Sequence, residues 1–77
     1  MRKMHGQGTL HFRNGNVYIG GFENDLRHGM GYLLDYQNTS KVREEWVKGK
    51  RINFVKTAST REDLDEHLNK EGYYHQN

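Results

Sequence analysis

The stretch HGQGTLHFRNGNVYIGGF, residues 5–22, contains five of the nine glycines in a chain of 77 residues. A related stretch, HGMG, begins at His28, which lies 23 residues after His5. Alternating apolar and polar residues flank Asn14-Gly15, and this dipeptide favours the positive φ angles of a type I′ turn. The pattern predicts a repeated β-hairpin. A phosphate-binding loop and a pair of metal-binding histidines are the alternatives to be weighed.

A two-residue turn at Asn14-Gly15 sets the register expected for the first hairpin. It pairs Phe12 with Val17 and Leu10 with Ile19, and directly opposed residues share a face of the sheet. The expected apolar face is therefore formed by Leu10, Phe12, Val17 and Ile19. The opposite face is expected to carry Thr9, His11, Tyr18 and Gly20, with Phe22 further along.

A second hairpin is expected to begin at residues 28–31 and to turn at residues 37–40. After that turn, Trp46 stands where Phe22 stands in the first copy. The next His-Gly pair is missing, so the repeat ends there. Residues 52–56, Ile-Asn-Phe-Val-Lys, are expected to form one last short strand.

The pattern after residue 57 changes to that of a helix, predicted over residues 61–71. Thr60 is a suitable N-cap residue, and acidic residues follow it in the first turn. Leu64 and Leu68 fall on one face at i and i+4, and Gly72 is a candidate C-cap. A helix of this length is marginal alone in water, so we expect it to dock on the rest of the chain or on a partner.

The spacing Tyr-x-Gly-x-aromatic followed by His-Gly-x-Gly resembles the MORN (membrane occupation and recognition nexus) repeat. The resemblance covers residues 5–51, and the second copy departs from it with Glu44 at a glycine position. The matching residues are Tyr18, Gly20, Phe22, His28, Gly29 and Gly31, preceded by His5, Gly6, Gly8 and Gly15 and followed by Trp46 and Gly49.

The resemblance implies a mainly β fold in which stacked antiparallel hairpins form an elongated single sheet, with a short C-terminal α-helix. We expect the sheet over residues 1–56 and the helix with its tail over residues 57–77. Glycines allow aromatic rings to lie flat over the backbone of a neighbouring hairpin. The residues expected to build this stack are Gly6, Gly8, Tyr18, Gly20, Phe22, Gly29, Gly31 and Trp46.

Catalytic and cofactor sites find little support in the sequence. His11 occupies the sixth position of the incomplete GxGxxG pattern, a strand follows it instead of a helix, and no GK[ST] motif occurs. The histidines fit no metal-binding spacing and are expected to bond backbone groups at turns. The chain has no cysteine, and its two serines stand in predicted loops without a base. We therefore expect a non-enzymatic protein without cofactor or metal.

The positive charge of the chain is concentrated in residues 41–56, which carry a net charge of +4. An edge strand rich in lysine is one interpretation, and an acidic partner is another. Four charges are too few to indicate a nucleic-acid partner. The candidate partner contacts are Lys48, Lys50 and Arg51, with Leu64 and Leu68 on the helix.

The function that the resemblance implies is a non-catalytic scaffold module that binds other protein subunits. We expect it in the cytoplasm, as a small subunit of a cytoskeletal or ciliary (axonemal) assembly. The alternative is a peripheral membrane adaptor that binds acidic phospholipids through residues 41–56. No transmembrane segment is expected, because no apolar run approaches the ~18 residues that a spanning helix needs.

Overall fold

The protein, described here by a computed structural model over residues 3–71, folds as one antiparallel sheet with a helix at its C-terminal end. Consecutive strands are neighbours throughout the sheet, in the order β1-β2-β3-β4-β5. The predicted architecture is confirmed. The elements are β1 (Gly6–His11), β2 (Val17–Glu23), β3 (Leu26–Asp35), β4 (Ser40–Val47), β5 (Lys50–Ala58) and α1 (Arg61–Glu71).

The register of the first hairpin differs from the predicted one by a single residue. Leu10 is opposite Tyr18, and Thr9 is opposite Ile19. The cause is the turn, in which the Gly15 amide donates to the Phe12 carbonyl at 3.0 Å and Gly15 alone has a positive φ. This geometry is a type I turn followed by a left-handed glycine, so the loop has three residues instead of two.

The one-residue change moves half of the predicted apolar face to the other side of the sheet, because alternate residues of a strand point to opposite faces. Val17 and Ile19 pack on the side that carries the helix. Leu10 and Phe12 pack on the other side. The predicted face of four residues is therefore wrong, and each pair contributes to a separate core.

The remaining turns explain the lengths of the later strands. Asn24-Asp25 and Lys48-Gly49 both have positive φ at two successive residues, as a two-residue type I′ turn requires. The longer turn occupies residues 36–39, one residue earlier than expected, and β4 begins at Ser40. Because β5 leaves its tight turn at once, it pairs with β4 from Lys50 to Ala58, with a β-bulge at Ile52, and is longer than the predicted 52–56.

The helix begins and ends where the sequence predicts. The Thr60 hydroxyl accepts a hydrogen bond from the Asp63 amide at 3.1 Å, which confirms Thr60 as the N-cap. Leu64 is fully buried against Val17 and Leu34, so the chain covers this side of its sheet with its own helix. The C-cap predicted at Gly72 lies outside the described residues.

The opposite side of the sheet, here called the aromatic face, has its own core. Tyr18, Phe22 and Trp46 are buried at its centre, and the Tyr18 ring meets the other two edge to face at centroid distances of 5.5 and 6.3 Å. The partly buried apolar residues packed around them are Met4, Leu10, Phe12 and Leu33.

Two glycines provide the space that the Tyr18 ring occupies. Gly20 and Gly31 are opposite each other on β2 and β3. A Cβ atom at Gly20 would lie 2.7 Å from the Tyr18 hydroxyl, and one at Gly31 would lie 2.5 Å from Tyr18 Cε1. Neither position tolerates a side chain while the ring stays in place.

We expect Gly31→Ala to lower the free energy of unfolding by about 1–3 kcal/mol, the usual range for overpacking a well-packed core. The added methyl group must displace the Tyr18 ring from its place over the sheet. Urea denaturation measures the effect, with Thr57→Ala on exposed β5 as the control. Equal stability of the two variants would contradict the role assigned to Gly31.

We expect Leu64→Ala to lower the free energy of unfolding by about 2–5 kcal/mol, as for other buried leucines. Leu64 is the fully buried contact between α1 and the sheet. Amide hydrogen exchange should accelerate most in α1, whose docking depends on this side chain. Leu26→Ala is the matched control, since Leu26 is 46% exposed.

Candidate functional site

A cleft on the aromatic face combines charged groups with the aromatic rings of Phe12 and Trp46, and we call it the aromatic cleft. Its cavity has a volume of about 240 Å³. It lies across β3, β4 and the start of β5, beside the first turn. The lining residues are Phe12, Asn14, Asn16, Arg27, Leu33, Glu44, Trp46 and Arg51.

Arg27 is the cation at the centre of the aromatic cleft. Its guanidinium carbon lies 3.8 Å from the centroid of the Trp46 ring, 5.5 Å from that of Phe12 and 5.7 Å from that of Tyr18. Stacking on rings uses the flat face of the guanidinium and leaves its N–H edge available. Within residues 3–71, no carboxylate forms an ion pair with this side chain.

Glu44 is a buried carboxylate at the side of the cleft, and its exposed fraction is only 2%. One carboxylate oxygen accepts a hydrogen bond from Trp46 Nε1 at 3.0 Å. The other is 3.0 Å from Nη1 of Arg51, whose guanidinium also lies over the Phe54 ring. A buried charge needs partners of this kind, so Glu44 fixes both the indole and the Arg51 side chain.

The Tyr18 hydroxyl connects this network to the glycines of the sheet. It donates to the carbonyl of Gly21 at 3.2 Å in a buried environment. Burial, with the nearby negative charge of Glu44, raises the pKa of Tyr18 from 10 to about 12. The phenol is therefore neutral in the folded protein well above the pH at which a tyrosine usually ionises.

The residues predicted to build the repeat stack occupy two kinds of position. Gly8, Gly20 and Gly31 lie in one row across β1, β2 and β3, beneath the rings of Tyr18 and Phe22. In contrast, a Cβ atom at Gly6 or Gly29 would meet nothing within 4 Å. Both of these glycines have a positive φ, so glycine is needed there for backbone conformation.

The predicted partner contacts are dispersed over the molecule. Lys48 is exposed within the last tight turn, and Lys50 is exposed directly after it. Arg51 belongs to the aromatic cleft through its ion pair with Glu44. Leu64 is buried in the core of the chain itself and does not face a partner, and partly buried Leu68 packs against the same core.

Arg27 and Glu44 are the cleft residues that sequence reasoning did not select. For Glu44 a signal existed, because a carboxylate stood at a repeat position that otherwise holds glycine, two residues before the only tryptophan. For Arg27 no local signal exists. Its ring contacts come from β4 and from the first turn, so they depend on the register of three strands.

The described part of the chain contains neither a group of side chains suited to a metal ion nor a helix suited to crossing a membrane. His28 uses Nδ1 to accept a hydrogen bond from the Lys48 amide at 3.0 Å, as expected for a histidine at a turn. Among residues 3–71, no three side chains of His, Asp or Glu form a group that could hold a metal ion. No described helix is long and apolar enough to cross a bilayer.

Comparison with known proteins gives a family match and one curated relative. The family model described as MORN repeat matches residues 3–17 and 18–38. An inactive protein tyrosine kinase, pTKL, of Plasmodium berghei (strain Anka) is 33% identical to the chain over 60 residues. Those residues are 78% of this chain, which spans only 4% of the length of that relative. No solved structure matches the chain significantly.

We expect the stability of the protein to fall as the pH rises from 10 to 12. Because the pKa of Tyr18 is higher in the folded protein, the unfolded chain releases the phenol proton at a lower pH than the folded protein does. The contribution of the Tyr18 phenol to stability is therefore complete below pH 10 and is lost as the pH rises toward 12. Burial and a hydrogen bond to Asp65 raise the pKa of Tyr36 to about 12 as well, so part of the loss belongs to that residue.

Tyr18→Phe separates the two contributions, because it keeps the ring over the glycines and removes the ionisable group. Below pH 10 it should cost about 1 kcal/mol, for the lost hydrogen bond to Gly21. Between pH 10 and 12 it should lose less stability than the wild-type protein in urea denaturation. Equal losses over this interval would show that Tyr18 is not the group responsible.

Proposed function

Because this is a MORN-repeat protein, with repeats at residues 3–17 and 18–38, we propose that it is a non-catalytic module that binds an acidic segment of another protein in the aromatic cleft. MORN repeats indicate a protein-interaction or membrane-binding module. The module comprises the repeat sheet, proposed over residues 1–56 with β5 continuing to Ala58, and the helix with its tail over residues 57–77.

The observation that carries this proposal is that Arg27 stacks on an aromatic ring but has no carboxylate partner within residues 3–71. Its guanidinium stacks on Trp46 at 3.8 Å and has no carboxylate partner within residues 3–71. A guanidinium held flat against a ring presents a preorganised pair of N–H donors at its edge, which matches the two oxygens of a carboxylate. The neighbouring ring edges of Phe12 and Trp46 suit the aliphatic part of a glutamate or an apolar neighbour.

The partner that we propose is a subunit of a cytoskeletal or ciliary (axonemal) assembly in the cytoplasm. This setting rests on the resemblance to MORN-repeat proteins, several of which are found in such assemblies. In it, the module acts as a scaffold piece that fixes one subunit beside another. Arg51 lines the cleft, and Lys48 and Lys50, at the turn between β4 and β5, stay as candidate contacts.

Acidic phospholipid is the second candidate ligand, and the exposed lysines of the β4–β5 hairpin favour it. Lys48, Lys50 and Lys56 are exposed and form no ion pair within the described residues. The rest of the basic segment is partly neutralised, since Arg51 pairs with Glu44 and Lys41 pairs with Asp63 at 3.0 Å. Much less than the full charge of +4 is therefore available to a membrane.

We expect Arg27→Gln to abolish binding of a short polyglutamate peptide. Trp46 is the only tryptophan of the chain and contacts Arg27, so its fluorescence reports directly on the cleft. The matched control is Arg43→Gln. Arg43 is an exposed arginine on β4 that lies, with its ladder partner Val55, on the side of the sheet away from the aromatic cleft. The wild-type protein and the control should give the same titration, and Arg27→Gln should give none.

Co-sedimentation with vesicles of phosphatidylserine and phosphatidylcholine separates the two candidate ligands. If the ligand is an acidic protein segment, vesicle binding at physiological salt should be weak, and Arg27→Gln should not change it. Two results together would contradict the proposal. The first is that Arg27→Gln binds the peptide as the wild-type protein does. The second is that vesicle binding is strong, salt-sensitive and lost when Lys48, Lys50 and Lys56 are changed to glutamine.

A further inference from the structure

The side-chain acceptors of the aromatic cleft are all engaged within the chain itself, among the lining residues that the structure describes. Asn14 Oδ1 accepts a hydrogen bond from the Asn16 amide at 2.9 Å, and Asn16 Oδ1 accepts one from the Tyr36 amide at 3.1 Å. Both carboxylate oxygens of Glu44 have donors, and the side chain is only 2% exposed. The side chains of this cleft therefore offer a ligand hydrogen-bond donors only.

Three of the lining side chains have donors to spare. The Arg27 guanidinium stacks on a ring and forms no ion pair within residues 3–71. Arg51 donates to Glu44 through Nη1 at 3.0 Å, so Nη2 and Nε stay available on a side chain that is 40% exposed. The exposed Asn14 side chain uses its oxygen for the turn and keeps its NH₂ group. Two guanidinium groups and one amide thus border a single cleft.

This set of donors fits a phosphate monoester better than a carboxylate. A carboxylate has two oxygens, and the N–H edge of Arg27 alone can hold both of them. A phosphate monoester has three terminal oxygens and carries about −1.5 to −2 charges at pH 7. It can therefore accept hydrogen bonds from Arg27, Arg51 and Asn14 at the same time. Arginine clusters are a recurring means of recognising phosphorylated segments.

The walls of the cleft indicate that this phosphate is attached to an aromatic ring. Phe12 and Leu33 are apolar side chains packed at the border of the aromatic core. A ring from the ligand can bury apolar surface against both, and it can stack on the outer face of the Arg27 guanidinium, whose inner face lies on Trp46. The short aliphatic stem of a phosphoserine cannot cover these walls. Among phosphorylated side chains, tyrosine combines the ring with the phosphate.

We propose that the acidic group bound in the aromatic cleft is a phosphotyrosine of the partner segment. This inference rests on the proposed function, since it names the residue that Arg27 recognises in that segment. The ring lies against Phe12 and Leu33, and the phosphate accepts hydrogen bonds from Arg27 and Arg51. Phosphorylation of the partner then turns binding on, because an unmodified tyrosine brings no negative charge to these donors.

Three peptides of one sequence test the proposal, with phosphotyrosine, phosphoserine or glutamate at a central position between flanking glutamates. Titrations followed by Trp46 fluorescence should give the phosphotyrosine peptide a dissociation constant at least ~10-fold lower than that of either other peptide. Phenyl phosphate should displace this peptide at concentrations at which inorganic phosphate does not, because the ring is part of the ligand. Arg27→Gln should abolish binding of all three peptides.

Asn14→Asp tests the set of donors in the folded protein. Aspartate keeps the oxygen that accepts the Asn16 amide, so the turn is preserved, and it replaces the NH₂ donor by a second oxygen. The variant should weaken binding of the phosphotyrosine peptide by ~10-fold or more and that of the glutamate peptide by less. Asn53→Asp is the matched control, because it makes the same change of charge at an exposed β5 residue outside the cleft lining.

The outcomes separate this inference from the proposed function. Equal affinities for the phosphotyrosine and glutamate peptides overturn the phosphotyrosine assignment and leave the acidic segment as the ligand. Equal losses for the two peptides in Asn14→Asp overturn it as well, since Asn14 then acts through charge alone. Equal displacement by phenyl phosphate and inorganic phosphate also overturns it. Failure of every peptide to bind, or binding that Arg27→Gln does not change, overturns the proposed function together with this inference.

Discussion

The close contact between the Tyr18 ring and the backbone of two glycines is the constraint on which the aromatic face depends. Gly20 and Gly31 face each other across β2 and β3, and the ring fills the space that their missing side chains leave. The buried hydroxyl then finds its acceptor at Gly21. Phe22 and Trp46 pack edge to face against this ring, so the aromatic core is positioned by the glycines.

The end of the glycine row explains the charged part of the cleft. The row that contains Gly20 and Gly31 continues into Glu44 on β4 and Phe54 on β5. A carboxylate buried at that position requires donors, and Trp46 and Arg51 supply them. Glu44 is paired with Arg51, and within residues 3–71 no carboxylate forms an ion pair with Arg27. The glycine row therefore ends at a buried, hydrogen-bonded carboxylate instead of another flat stretch of backbone.

The sequence predicts local structure here better than it predicts the pairing of strands. The helix over residues 61–71 and its Thr60 cap follow from short-range rules and are confirmed. The Asn14-Gly15 pair fits either a two-residue or a three-residue turn, and the structure has the three-residue turn, which puts Gly8 opposite Gly20. That choice moves every side chain of β1 to the other face relative to β2. Arg27 could not be found for the same reason, since its contacts come from other strands.

The helix gives the two sides of the sheet different roles. Leu64 covers β2 and β3 from one side, so this short array does not need a further repeat to bury Val17 and Leu34. Because α1 follows β5 in the chain and crosses back over the earlier strands, it closes that side without pairing with the outer edge of β5. Within residues 3–71, this arrangement leaves the aromatic cleft and β5 exposed, so the proposed recognition of a partner belongs to the side of the sheet opposite the helix.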